Sequence, residues 1–152
     1  MFGERKPGAR SFASAPLTLH ERVQSGLEDG FKGSLPDHSL GLSDADVLIQ
    51  QGGKVAVIEV KTGDPNLPLP SSTSAQMLLL QQQARSRFPK EEVQEVLPVL
   101  VTNYSVSPNA QKELEDQGIK VLRIDPAASK SYDFEKFSQQ VASLTGLQTD
   151  LV

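Results

Sequence analysis

The chain is 152 residues long, enough for one domain and too short for a multi-domain machine. Hydrophobic residues make up 38% and charged residues 22%, a globular balance that excludes disorder throughout. A formal net charge of −4 argues against a broad basic coat for nucleic acid or membrane, and the lack of cysteine removes disulfides, cysteine-based zinc sites and thiol nucleophiles.

Residues 1–15 are rich in Gly, Ser and Ala and carry Arg5, Lys6 and Arg10 without apolar periodicity, so they read as a flexible basic arm. This N-terminus forms no secretion-signal core, and no apolar run approaches the roughly 18 residues that span a bilayer. A soluble cytoplasmic protein without membrane partners is expected. Leu19, Val23 and Leu27 then recur every four residues, with Thr18 and Glu21 at capping-box spacing, which predicts a helix over 17–29 closed by Gly30. Gly33, Pro36 and Gly41 predict a loop or short irregular strand over 33–43. Two β-prone runs, 47–49 and 55–60, flank Gly52 and Gly53 and predict a hairpin.

After Lys61 a proline-rich stretch cannot continue the strand and reads as a loop. Ser74 can cap a helix running through Gln76, Met77, Leu80 and Ala84 to about Phe88, stopped by Pro89. The apolar run 96–102 suits a central strand covered on both faces, its regular part starting late because of Pro98. Ser107 and Pro108 open a helix ended by Gly118, and 119–124 returns as a strand, an order that implies a right-handed parallel crossover. Phe134, Phe137, Val141 and Leu144 predict a last helix over 132–144, followed by a frayed tail over 146–152. The sum is one α/β domain over 16–145 with a mixed sheet.

Several chemistries drop out by inspection. There is no G-x-G pair for a dinucleotide, and Leu48 stands where a phosphate loop ending at Gly53 and Lys54 needs glycine. His20 and His38 form no H-E-x-x-H pair, and no G-x-S-x-G elbow exists. What remains is charge on a strand. The period of two puts Glu59 and Lys61 on one face while Ile58 and Val60 point to the other. Counting outward from the Gly52-Gly53 turn brings Asp46 roughly opposite Glu59. Two adjacent carboxylates in a half-buried strand repel unless a cation neutralises them. Oxygen ligands without cysteine favour magnesium, with manganese as substitute, and Lys61 is placed to orient or deprotonate an attacking water or to neutralise a phosphate. The implied reaction is phosphodiester hydrolysis.

Asp46 followed by Glu59-Val60-Lys61 at the end of a hydrophobic strand resembles the PD-(D/E)xK nuclease superfamily. The likeness extends from His20-Glu21-Arg22-Val23, similar to archaeal Holliday-junction resolvases, to 100–103 and 118–121, similar to Mrr-type domains, about 17–125 in all. Ala45 stands where the family has proline. The resemblance implies a restriction-endonuclease-like αβββαβ core, with Glu21 as a helix carboxylate joining Asp46 and Glu59 at the metal. It also implies a glutamine after the E-x-K strand that contacts water or DNA, Gln76 first, with Gln81, Gln82 and Gln83 behind it. Homodimerisation is expected on the same ground.

Each residue has an ordinary reading as well. Glu59 and Lys61 suit a solvated ion pair, Glu21 suits the cap of its own helix, and the glutamines suit a polar stripe. Asp44, two residues before Asp46, is the rival first ligand. Arg5, Lys6, Arg10, Arg22, Arg85, Arg87 and Lys90 suit a local phosphate groove or plain solubility. Aromatic residues at 5%, with no Trp, argue against a base-stacking platform. The expected function is a metal-dependent endonuclease acting on DNA, with RNA as the other polymer. The alternative is a catalytically inactive module of the same fold for nucleic-acid binding or protein assembly.

Overall fold

The computed structural model of the chain describes residues 18–41, 43–124 and 134–149, so the expected basic arm, with Arg5, Lys6 and Arg10, lies outside the described residues. Its elements run α1 (Leu19–Gly30), β1 (Val47–Gln51), β2 (Lys54–Lys61), α2 (Thr73–Arg87), β3 (Glu95–Thr102), α3 (Pro108–Asp116), β4 (Lys120–Arg123) and α4 (Phe134–Thr145). The four strands form one mixed sheet in sequence order, β1 antiparallel to β2 and the other neighbours parallel. Among the described residues no helix is long and apolar enough to cross a membrane.

The β1–β2 hairpin closes at Gln51↔Lys54 through Gly52, whose φ of 56° favours a residue without Cβ. β2 reads as an unbroken β-branched run because both of its faces are covered: residues 55–58 are all buried. On one face Val47, Ile49, Ala56, Ile58, Val60, Val99 and Val101 meet Val23 and Leu27 of α1 and Phe137 and Val141 of α4. On the other, Leu48, Val55, Val57 and Leu100 meet Met77, Leu80 and Ala84 of α2 and Leu114 of α3.

Several boundaries depart from expectation for physical reasons. β3 is regular from Glu95, with Pro98 inside it. The Glu95 and Asn103 amides donate toward β2, to Gly53 and Lys61, while Thr102 accepts from Ile124 on the β4 side. Alternate residues therefore face alternate neighbours, which turns Pro98 toward β4, whose pairing starts only at Val99. The missing proline N–H has no partner to lose. α2 begins at Thr73 instead of after a Ser74 cap; Ser74 lies inside the first turn and its hydroxyl donates to Gln117 at 2.8 Å. Between α1 and α2 there are two full strands, and 33–35 only edges β1, through the Ser34↔Ile49 bridge and the Leu35 amide donating to Leu48. Residues 146–149, expected as frayed, are tied down: Leu147 is buried, Gln148 exchanges two hydrogen bonds with Gln51, and Thr149 bridges Phe31.

Candidate active site

The carboxyl end of β2 carries the charge. Val60 packs into the α1 and α4 core, so strand alternation turns Glu59 and Lys61 toward the α2 face. Continuing the Val47↔Ile58 register by one residue sets Asp46 opposite Glu59. Asp46 is pinned from three directions. Its Oδ2 accepts the Val60 amide at 2.8 Å and lies 3.3 Å from His20 Nε2, while its carbonyl accepts Gln24 Nε2 at 2.9 Å. Since a carboxylate only accepts, His20 must present Nε2–H here.

Burial is the largest force on Glu59 and pushes its carboxyl up to about 8; a side-chain hydrogen bond to Asp46 and the charge of Asp46 push the same way, and Lys61 pulls against them. Burial and the neighbouring Asp46 thus favour the protonated form of Glu59. Such a pair is a place where a cation can replace the proton.

Lys61 is framed by the neighbouring parallel strand. It pairs with Thr102, and its carbonyl accepts the Asn103 amide at 3.3 Å. The buried Asn103 side chain grips Gly63 at both ends, accepting from its N–H at 2.8 Å and donating to its carbonyl at 2.9 Å. A Cβ on Gly63 would strike the Tyr104 hydroxyl, so the loop leaves β2 in a single channel. Arg123 fixes its far side by donating to the Tyr104 and Pro65 carbonyls at 2.8 and 3.2 Å.

The other expected site residues lie elsewhere. Glu21 is exposed and spends its carboxylate on its own helix, accepting the Thr18 amide at 2.9 Å and hydroxyl at 3.0 Å. Those bonds hold it below the usual carboxylate range. The α1 residues that reach Asp46 are instead His20 and Gln24, one turn apart on the row beside the apolar Leu19–Val23–Leu27 stripe, of which Val23 and Leu27 are buried. Their i, i+4 spacing was the available signal, although it marks most surface rows of most helices. Asp44 is exposed and bridges Ser39, away from the pair. Gln76 is exposed on the first turn of α2, and Gln83 is hydrogen-bonded to Ser43. Arg85 donates to the Phe88 and Val93 carbonyls at 3.1 and 2.7 Å, and Arg87 to those of Asp37 and Ser39 at 2.8 and 2.6 Å. Arg87 thereby staples the 37–39 loop, and Arg85, while tying the end of α2 to the approach of β3, also lines an open cleft with Leu78, Gln81, Gln82 and Val96.

Among the described residues no three His, Cys, Asp or Glu side chains gather as a metal shell. An ion here would rest on Asp46 and Glu59 and complete its coordination with water or substrate oxygens, which suits magnesium. No family model, curated protein or solved structure matches this chain.

Proposed function

We propose that the chain is a metal-dependent nuclease of the PD-(D/E)xK type, hydrolysing phosphodiester bonds of DNA. The observation that carries the reading is the strand register that sets Asp46 opposite the half-buried Glu59, beside Lys61 at the carboxyl end of β2. Two carboxyl groups forced together at a strand end are costly unless they serve a cation or a proton. Asp46 and Glu59 would hold magnesium or manganese, which when bound supplies charge neutralisation and Lewis acidity toward phosphate. The Lys61 ammonium would offset negative charge growing on the phosphoryl oxygens or, when neutral, take a proton from the attacking water. His20 and the Val60 amide keep Asp46 Oδ2 in place while charge moves beside it. The helix, hairpin and parallel crossover order supports the restriction-endonuclease-like arrangement, with two full strands after α1 where that arrangement has three. Action as a homodimer is part of the same proposal.

The test is incubation of purified protein with plasmid, linear and branched DNA in magnesium, manganese or chelator. Metal-dependent nicking is expected, and Glu59→Ala and Lys61→Ala should each lower it by about 100-fold or more. DNA left intact under every condition would overturn the nuclease and favour the inactive module.

A further inference from the structure

The start of α2 has features that the carboxylate pair does not use. A parallel crossover must carry the chain back from the end of β2 to the start of β3, so α2 begins at the end of the sheet where Glu59 and Lys61 stand. It also lies on the face toward which they point, with Met77 and Leu80 beside Val57 and Leu100. This helix end is uncapped. Ser72 has helical dihedrals and makes no side-chain capping bond, the first turn holds no acid, and among the described residues the Ser74 and Ala75 amides take no partner. Beside it is a cleft of about 70 Å³ bounded by Leu69, Pro70, Thr73, Glu113 and Leu114. Thr73 is 1% exposed, and its hydroxyl has no hydrogen-bond partner. The buried Thr73 hydroxyl and the open Ser74 amide thus belong to residues that bound one small space at the positive end of a 15-residue helix.

We propose that this cleft is a phosphate subsite, in which the Ser74 amide and the Thr73 hydroxyl hold one backbone phosphate of a nucleic acid running past Glu59 and Lys61. The carrier of the phosphate rests on the nuclease reading; the anion site itself does not. Glu113 opposes it as the acidic wall of the cleft and limits its affinity.

Thr73→Val keeps the side-chain shape and deletes only the hydroxyl, and Thr73→Ser keeps the hydroxyl. In chelator, thermal unfolding of the full chain with inorganic phosphate should show protection of the wild type and of Thr73→Ser. Thr73→Val should unfold no earlier than wild type without phosphate, since its lost hydroxyl had no partner, yet bind phosphate about fivefold more weakly. Glu113→Gln should bind it several-fold more tightly. A labelled oligothymidylate, followed by anisotropy in chelator, should repeat the same ranking. Equal phosphate protection of wild type and Thr73→Val, or none of either, overturns the subsite. Protection by phosphate without oligothymidylate binding overturns the nucleic-acid carrier. Since chelator silences cleavage, both results are independent of the plasmid assay on which the nuclease reading depends.

Discussion

Glu59 carries a consequence for pH that can be measured without any substrate. Its carboxyl titrates near 8 in the fold against an ordinary value of 4.5. Between those values the folded chain keeps a proton that the unfolded chain has released, so this residue's contribution to stability is lost as pH rises through the window. Glu59→Gln, which keeps the shape and removes the titration, should melt about 2 °C above wild type at pH 8, the gap closing toward pH 5, with partial exposure screening the effect. A gap that is constant with pH would contradict the proton held on Glu59. The partner on α1 is separable in the same way. Glu21→Ala breaks a capping box and should lower the melting temperature by about 2 °C, while leaving cleavage intact. His20→Ala should leave melting nearly unchanged and lower cleavage about tenfold, because Asp46 Oδ2 keeps only the Val60 amide. The Asp46, Glu59 and Lys61 positions were legible because strand alternation and the glycine turn set them by counting. His20 was not, since one step along a helix moves a side chain to another row and nothing local favours one row.

Among the elements, the arginines of α2 were the hardest to read, since a cation near the end of a helix looks the same in sequence whether it meets phosphate or backbone. Arg85 reaches the Phe88 and Val93 carbonyls and so ties the helix end to the approach of β3. Arg87 holds the 37–39 loop and lies 5.0 Å from the Phe88 ring centre. Arg85→Ala should therefore destabilise the fold by about 2 kcal/mol, read by denaturant titration, and leave affinity for DNA unchanged at temperatures where it is folded. Weakened binding without loss of stability would return Arg85 to a phosphate-contacting role. Local signals served well where chemistry is local: Thr18 and Glu21 close the cap of α1, and Ser107 with Pro108 opens α3 as expected. They failed where the answer depended on a neighbour. Pro98 is tolerated because β4 is too short to need its N–H, and no reading of β3 alone contains that fact.

At the scale of the whole molecule, the α/β class and the order of elements followed from two periodicities, while the route of the polypeptide after β2 and the anchoring of 146–149 depend on contacts between distant segments. Manganese offers a global readout of the site. Binding only the folded chain, it should raise the melting temperature, and more at pH 8 than at pH 5.5 because it competes with the proton on Glu59. Glu59→Gln should lose most of that protection. Asp46 has one further property that follows from where it sits. It stands at the rim of the sheet, held by helix α1 from one layer while facing a glutamate that belongs to the other. Any sliding of α1 across its side of the sheet must alter the spacing of the two carboxyl groups on the opposite side. Through His20 and Gln24 the α1 layer is thus mechanically geared to the carboxyl pair, and a protein that gripped the outer face of α1 could throttle the chemistry without ever entering the cleft.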